Sequence, residues 1–322
     1  MLLFFISNRQ SIRYNDPMPF TYTGSRKERL DKFLHEQMPA VSRNKIQKMI
    51  REQLVLVNKK PATVHHWLKK DDAIEIMAME AQQIPPHPDS YPEPSIIYQN
   101  EALAVLIKPA GLLMHPTERN EEHTLAHWLI KRFPHIATVG DDPKRPGIVH
   151  RLDKGVGGLV LVALTSTSFQ FLKRLFFSHQ VIKKYRCLVH GRMSHNEGQI
   201  QTPIERDKEG KMVAQTARTS GKEALTLYAV IERFANYTLL DIQTVTGRTH
   251  QIRTHLYSIG HSIVGDSLYQ TRDIRKKKKP PPLERPFLYA YHLSFADYDG
   301  QKHNFTVELP DDMSKILQTL PS

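Results

Sequence analysis

The sequence predicts an α+β protein: a large domain with a largely antiparallel mixed sheet and flanking helices, preceded by a small α/β module. Its 322 residues correspond to about two domains at roughly 150 residues each. Five prolines between residues 82 and 94 predict an extended linker over residues 78–94, because proline removes a backbone donor and fixes φ. Beyond the linker, strand-like segments follow one another too directly for a regular βαβ alternation.

Residues 25–77, before the linker, predict the small module. Leu30, Phe33 and Leu34 have helical spacing, and Ser42 is a suitable N-cap for a second helix. The apolar arc of that second helix consists of Ile46, Met49 and Ile50. Two predicted strands follow it, Leu54–Val57 and Ala73–Ile76. We expect residues 1–24 to form a flexible tail.

The positive charge is concentrated in this module. The whole chain carries a net charge of +12, and its sequence pI is about 9.6. Residues 25–70 hold twelve Lys and Arg against four Asp and Glu, so they supply eight of these charges. Lys48 and Arg51 point away from the apolar arc, and with Arg43 they predict a basic surface. A polyanion is the expected partner, with nucleic acid ahead of an anionic membrane surface.

The large domain, residues 95–322, reads mainly as strands. The predicted strands are Ser95–Tyr98, Leu103–Ile107, Leu159–Leu164, Lys184–His190, Glu223–Glu232, Tyr237–Thr244, Phe287–Phe295 and Asn304–Leu309. The predicted helices are Thr124–Phe133, Thr165–His179 and His250–Ile259.

A first cluster of charged residues and glycines covers residues 150–158, HRLDKGVGG, immediately before a buried strand. A nucleotide-binding G-x-G-x-x-G motif would follow a strand, whereas these glycines precede one, so that class of site is excluded. Asp153 could simply cap the turn. The alternative is that the loop holds its charged side chains against a ligand at the edge of the sheet.

A second cluster, residues 247–255, contains Arg248 and Arg253, which suit phosphate or carboxylate partners. Its histidines, His250 and His255, are five residues apart and diverge by about 140° on a helix, which argues against a zinc pair. The pair His123 and His127 has the right spacing but lacks a third ligand, so we expect a surface helix face. The sequence therefore predicts no metal site.

Cysteine content and hydropathy exclude further classes. Cys187 is the single cysteine, so an internal disulfide and a thiolate zinc site are excluded, which fits a reducing compartment. Cys187 could attack a pyrimidine ring, but its alternation with Tyr185 and Val189 favours packing. The apolar start, residues 1–6, is too short for a secretory core, and no run is long enough to span a membrane. We expect a cytoplasmic protein.

Four segments, in this order, resemble the landmark segments of the RluA-type pseudouridine synthases. They are LAVLIKPAGLLMHP from Leu103, HRLDKGVGGLVLVA from His150, KKYRCLVHG from Lys183 and GRTHQIRTHLYSIGHSIVGD from Gly247. Residues 25–77 resemble the alpha-L RNA-binding domain shared with a small-subunit ribosomal protein. The resemblance implies that uridine in RNA is isomerised to pseudouridine, without redox change or group donor, so no cofactor is expected.

The resemblance also implies roles for individual residues. Asp153 matches the catalytic aspartate, Tyr185 the active-site tyrosine, and Arg253 the basic residue that pairs with the aspartate. Arg151 is expected to help extrude the target base, and Arg248 and His250 to contact RNA. The chain departs from the family pattern at Val156–Gly157, where Thr or Ser is usual. It departs again at Tyr289, where His is usual.

The pairing of the two domains is typical of the family's ribosomal branch, so the expected substrate is large-subunit ribosomal RNA or a precursor ribosomal particle, bound by a monomer. Two alternatives remain open. One is a family enzyme that acts on transfer RNA. The other is an inactive RNA-binding protein of ribosome assembly, supported by the departure at Val156–Gly157.

Overall fold

The computed structural model describes residues 18–39, 41, 43–77, 93–117, 121–214, 221–276 and 283–321. The chain divides into two compact units: the first is Met1–Gln83 with Asp141–Pro143, and the second is Ile84–Gly140 with Lys144–Ser322. Most of the predicted linker, residues 78–92, lies outside the described residues, as do Ser42 and residues 1–17.

The first unit combines two helices with short strands. Its elements are β1 (Met18–Thr21), β2 (Glu28–Arg29), α1 (Leu30–Gln37), α2 (Arg43–Arg51), β3 (Val55–Val57), β4 (Lys60–Pro61), β5 (Trp67–Leu68) and β6 (Ala73–Ile76). The strands form a sheet of order β1-β6-β3-β4 and a separate β2-β5 pair. Leu30, Leu34, Ile46, Ile50 and Leu68 are buried in one core between helices and strands.

The prediction of a flexible tail over residues 1–24 is wrong for its last part. Met18–Thr21 forms strand β1, which pairs antiparallel with Ala73–Ile76. Tyr22 is buried and packs edge-on against Phe33. The local sequence did not indicate this strand, because its hydrogen-bonding partner lies more than fifty residues further along the chain.

The second unit is built on a nine-stranded sheet of order β11-β14-β15-β10-β16-β9-β8-β7, with β17 paired to β16. Its strands are β7 (Ser95–Gln99), β8 (Leu103–Lys108), β9 (Gly157–Ala163), β10 (Ile182–His190), β11 (Glu197–Ile200), β14 (Thr226–Arg233), β15 (Tyr237–Thr244), β16 (Leu288–Ala296) and β17 (Lys302–Thr306). A small hairpin adds β12 (Ile204–Arg206) and β13 (Met212–Ala214). Within the described part of this sheet, the pairing between β9 and β16 is the parallel one. The predicted α+β, largely antiparallel mixed sheet is confirmed.

The helices of the second unit are α3 (Leu125–Arg132), α4 (Ser166–Phe177), α5 (Gln251–Ser258), α6 (Arg272–Lys276) and α7 (Asp311–Thr319). The sequence indicated α3, α4 and α5 but not α6, α7 or the strands β11, β12 and β13. Strands β11, β12 and β13 have four residues or fewer, too few to show an alternation, and α6 has no buried residue. Helix α7 is amphipathic but buries only Met313, so it lacks an extended apolar face. Within the described residues, no helix has the length and apolar character needed to cross a membrane.

Strand β9 and the helix after it place the first cluster. Every residue of β9 is buried, and α4 packs against it. Thr165 caps α4 in a reciprocal capping box with Ser168. The burial of β9 and its packing against α4 therefore hold the strand in place. The loop of residues 148–156, which leads into this strand, is attached to a rigid support.

Candidate active site

The loop of residues 148–156 is held against β9 and presents Asp153. Leu152 and Val156 are both buried, and the Val156 amide donates to the Asp153 carbonyl at 3.0 Å. The Lys154 carbonyl accepts from the Gly111 amide at 2.7 Å, which ties this loop to the one after β8. The loop is thus anchored on both sides of Asp153, whose side chain stays 16% exposed.

His150 anchors the beginning of this loop. Its Nε2 accepts from the backbone amide of Leu161 at 2.8 Å. The imidazole thus replaces the carbonyl of a neighbouring strand as the acceptor for this amide. The ring stacks on Phe176, with centroids 4.7 Å apart. Burial, helped by the charge of Lys183, lowers the pKa of His150 to about 3. His150 is therefore a neutral structural acceptor at every physiological pH.

Helix α5 brings Arg253 to Asp153. Arg253 Nη1 donates to Asp153 Oδ2 at 3.0 Å, while Nε and Nη2 donate to the two oxygens of Asp266 at 2.6 and 3.0 Å. Asp266 is buried and also accepts from the amides of Leu268 and Tyr269. One guanidinium therefore bridges a fixed buried carboxylate and a carboxylate that remains accessible.

His250 stands beside this bridge. It begins α5 in the left-handed conformation, with φ of 55°. Its Nδ1 is 2.9 Å from the Tyr269 hydroxyl, and its Nε2 lies 3.9 Å from Asp153 Oδ2. Burial lowers the pKa of His250 and raises that of Tyr269 to about 12. The imidazole therefore shares a hydrogen bond with the phenol through Nδ1, and its other nitrogen faces Asp153.

The side chain of Gln251 fixes the loop before α5. Its Oε1 accepts from Thr246 Oγ1 at 2.7 Å and from the Arg248 amide at 3.0 Å. Its Nε2 donates to the Leu225 carbonyl at 3.0 Å. Arg248 is exposed and its Nε donates to the Glu223 carbonyl at 2.9 Å, which orients the guanidinium without neutralising its charge.

Tyr185 enters the same site from the sheet. It lies on β10, where alternation places its ring on the inner face, and it is buried. Burial, and to a smaller extent the charge of Asp153, raise the pKa of Tyr185 to about 12, against the effect of a hydrogen bond with Thr244. The hydroxyl is therefore neutral at pH 7.

These groups surround one open cleft of about 530 Å³, a size suited to a small molecule or a single extruded nucleotide. The structure brings together in this cleft six residues singled out from the sequence: Arg151, Asp153, Tyr185, Arg248, His250 and Arg253. Aromatic and apolar atoms share the walls with these charged groups. The cleft can hold a flat ring and place a carboxylate beside it.

The remaining predicted RNA contacts belong to the first unit. Arg43 is 46% exposed and donates to the buried carboxylate of Asp31 at 3.0 Å. Arg51 is exposed at the end of α2. The side chain of Lys48 lies outside the described residues, so its expected role stays a prediction.

Sequence reasoning missed two lysines near the carboxylate. Lys108, at the end of β8, is fully buried and donates to the carbonyls of Pro109 and Leu112, each at 2.8 Å. Burial lowers its pKa to about 7, although the charge of Asp153 opposes this. Lys183 lines the cleft two residues before Tyr185, with its Nζ 5.5 Å from the centroid of the Phe176 ring. The two-residue spacing from Tyr185 was a signal that could have indicated Lys183.

Lys183 leads to a prediction about pH. Burial lowers its pKa to about 8, so the ammonium that could bind a phosphate is lost as the pH rises through that value. We expect the Kd for a structured RNA to increase roughly tenfold between pH 7 and 9, the effect of one charge-assisted hydrogen bond of about 1.5 kcal/mol. Filter binding across this range measures the step.

Lys183→Met should remove this pH step. The matched control is Lys184→Met, because Lys184 is on the opposite face of β10 and pairs with Asp241 at 3.7 Å. A step of the same size in the Lys183→Met protein would contradict the assignment.

Metal ligation and cysteine chemistry find no support in the described part of the chain, where no group of three His, Cys, Asp or Glu residues could hold a metal ion. The sequence predicted that His127 lies on a surface helix face, and this is wrong. His127 is buried, and its Nδ1 is 2.6 Å from Thr124 Oγ1. The helix packs this face against the core, which the i, i+4 spacing alone did not reveal. Cys187 is also buried, and burial raises the pKa of its thiol.

The two departures from the family pattern face each other. Tyr289 on β16 is the register partner of Gly157 on β9. A Cβ at Gly157 would lie 3.2 Å from the Tyr289 ring and 3.2 Å from the backbone of Lys108 and Ala110. A side chain at Gly157 would therefore crowd the Tyr289 ring and the neighbouring backbone alike.

Two protein families match parts of the chain. Residues 102–258 match the family described as RNA pseudouridylate synthase, and residues 28–74 match the S4 domain. An RNA pseudouridine synthase of Aquifex aeolicus is 36% identical over 321 residues, which cover 96% of this chain and 98% of that protein. The chain belongs to the RluA-type RNA pseudouridine synthases. The synthase is thus an enzyme of RNA isomerisation with an RNA-binding S4 domain.

Other relatives span nearly the same length. RNA pseudouridine synthase YlyB of Bacillus subtilis is 32% identical, covering 91% of this synthase and 94% of the relative. Ribosomal large subunit pseudouridine synthase D of Nitrosomonas europaea is 34% identical, covering 91% and 84%. The solved structure of human RNA pseudouridylate synthase domain containing 1 covers 73% of the synthase and 99% of its own chain. Its TM-score is 0.55 at 23% identity, which supports the fold.

Proposed function

We propose that the synthase converts uridine to pseudouridine in large-subunit ribosomal RNA, with Asp153 as the nucleophile. The observation that carries the chemistry is the Asp153 carboxylate, 16% exposed in the cleft and bonded to Arg253 at 3.0 Å. The relatives named ribosomal large subunit pseudouridine synthase D support the substrate class. So does the excess of eight positive charges in residues 25–70.

The reaction breaks the bond between C1′ of the ribose and N1 of uracil and forms a bond from C1′ to C5. Asp153 acts at the nucleoside either by attack on C1′ or by taking a proton in an elimination to a glycal. The freed uracil turns within the cleft and rejoins through C5. The C5 proton leaves and N1 gains a proton, so the sum is an isomerisation that needs no oxidant and no donor.

Arg253 and Tyr185 support these steps. The guanidinium, fixed by Asp266, orients the Asp153 carboxylate and lowers the cost of keeping its charge in a partly dry cleft. The Tyr185 ring offers a face on which uracil stacks. The Tyr185 hydroxyl is neutral at pH 7, so it acts as a relay: its oxygen accepts the C5 proton while the hydroxyl passes its own proton to solvent in the open cleft.

Extrusion of the target nucleotide costs a few kcal/mol, which contacts with the phosphates must offset. Arg151 and Arg248 line the cleft and present guanidinium groups there. In the S4 domain, the exposed Arg43 and Arg51 supply further contacts to the RNA backbone.

Site-resolved pseudouridine mapping tests the substrate class. We expect a strain that lacks the synthase to lose one or more pseudouridines from large-subunit ribosomal RNA and to keep those of transfer RNA. Loss confined to transfer RNA would contradict the ribosomal proposal. An Asp153→Asn strain that keeps every pseudouridine of the wild type would contradict the proposed nucleophile.

Tyr185→Phe should separate stacking from proton transfer. Because this change keeps the ring and removes the hydroxyl, we expect tritium release from uracil C5 to slow by about 100-fold. The Kd for the same RNA should stay within about threefold of the wild type. Tyr185→Leu also removes the aromatic face and should weaken binding by a further factor of about ten. Wild-type rates in Tyr185→Phe would exclude a role in proton transfer.

A further inference from the structure

Trp67, in the first unit, is an exposed aromatic side chain. It lies on the short strand β5, where alternation sends its neighbour Leu68 into the core. Leu68 is fully buried, whereas Trp67 is 54% exposed. The core contacts of β5 are therefore made by Leu68, and the indole presents an open face to solvent.

One guanidinium group lies across the strand pair from this indole, and a second shares its carboxylate. Arg29 is the register partner of Trp67 across the β2–β5 pair, so both side chains project from the same face. Arg29 donates to both oxygens of Asp31 at 3.0 Å, and Arg43 donates to the same carboxylate at 3.0 Å. The two guanidiniums share one negative charge, so this cluster keeps an excess of positive charge.

The segments that flank β2 and β5 add to this charge. Five exposed cations and no exposed carboxylate lie within three residues of Arg29 or Trp67. The cations are Arg26, Lys27, Lys32, Lys69 and Lys70, of which Lys32 pairs with Glu28 and Glu36. An aromatic face in such a basic segment complements a ligand that is both flat and polyanionic, which is the chemistry of single-stranded nucleic acid.

We propose that an unpaired RNA base stacks on the indole of Trp67 while Arg29 and Arg43 contact the adjacent phosphates. In a duplex the base faces are already stacked, so the site should select single-stranded RNA, such as a loop or bulge. This site concerns the S4 domain and does not depend on the reaction in the cleft. A protein partner for the same surface is the alternative outcome of the test below.

Intrinsic fluorescence provides a direct test, because the chain has two tryptophans and Trp128, in the second unit, is only 6% exposed. The full-length protein is titrated with a twelve-residue oligoadenylate RNA and with the same strand in a duplex with oligouridylate. We expect the single strand to quench the emission and the duplex to have a much smaller effect. Oligoadenylate contains no uridine, so its binding is independent of catalysis.

Variants of Trp67 distinguish stacking from a general apolar contact. Trp67→Leu should weaken oligoadenylate binding about tenfold, since stacking on an aromatic residue contributes substantially per base, whereas Trp67→Phe should keep most of the affinity. Both variants leave the buried Leu68 in place, and circular dichroism checks their folding. The salt dependence of the oligoadenylate affinity should be unchanged in these variants and reduced in Arg43→Ala.

Three results would overturn the proposal. They are an affinity of Trp67→Leu within twofold of the wild type, equal quenching by single strand and duplex, and RNA-induced quenching that persists in Trp67→Phe. If Trp67→Leu bound RNA as well as the wild type and RNA did not change the wild-type emission, the exposed indole would be assigned to a protein partner instead.

Discussion

Asp153→Asn is expected to reduce tritium release from uracil C5 by at least about 10⁴-fold, because loss of a nucleophile removes the reaction path itself. The amide is nearly isosteric and can still accept a hydrogen bond from Arg253 Nη1, now at 3.0 Å from Asp153 Oδ2. The loop should therefore keep its conformation, and the Kd for the RNA should stay within about threefold. Single-turnover assays with tritiated large-subunit ribosomal RNA measure both quantities.

The control for this change is Asp299→Asn. Asp299 is an exposed carboxylate in the turn between β16 and β17, and it does not line the cleft. The variant removes the same charge from the chain, so it should leave both rate and affinity unchanged. If Asp153→Asn kept more than about one per cent of the wild-type rate, Asp153 would not be the nucleophile.

Arg253→Met is expected to lower both stability and activity. It leaves the fully buried carboxylate of Asp266 without its cation, and breaking a buried pair in this way costs about 3–5 kcal/mol of unfolding free energy. It also removes the group that orients Asp153, so we expect tritium release to fall about 100-fold or more. Urea unfolding in a Trp67→Phe background follows the second unit through Trp128.

A second substitution separates the two effects. In the double variant Arg253→Met with Asp266→Asn, the buried negative charge is gone, and the amide oxygen can still accept from the amides of Leu268 and Tyr269. We expect about 2 kcal/mol or more of the lost stability to return, whereas activity should not, because Asp153 still lacks its guanidinium. Recovery of activity together with stability would show that Arg253 acts through folding alone.

Pattern reasoning worked best where apolar periodicity is strong. The strands of the large sheet other than β11, and helices α3, α4 and α5, were indicated to within a few residues, because buried faces impose a period of two or 3.6. It was weakest for β1, whose partner β6 is distant in sequence, and for His127, whose burial depends on what packs against α3. Neither long-range pairing nor packing leaves a local signal.

In the candidate site too, some residues have a local sequence signal, and others matter only through contacts with distant segments. Asp153, Tyr185 and Arg253 lie in segments whose resemblance to a family marks them out. Asp266 lies at the end of such a segment, but nothing in its local pattern indicates that it contacts Arg253, thirteen residues earlier. The local sequence also gave no signal for Lys108 or His150. The pKa of Lys108 depends on its burial and on the charge of Asp153, and the role of His150 depends on its hydrogen bond to β9.

The main strands and helices, the basic first unit and, through a resemblance to a family, the class of chemistry could be predicted without the structure, because composition, periodicity and motifs are properties of neighbouring residues. The folded chain was needed to show that a carboxylate, a phenol and a guanidinium from a loop, a strand and a helix share one cleft. It was also needed to show that Gly157 lies against the Tyr289 ring. The physical reason is that distances between such groups, and the burial that sets their charges, are fixed by chain segments that meet only after folding.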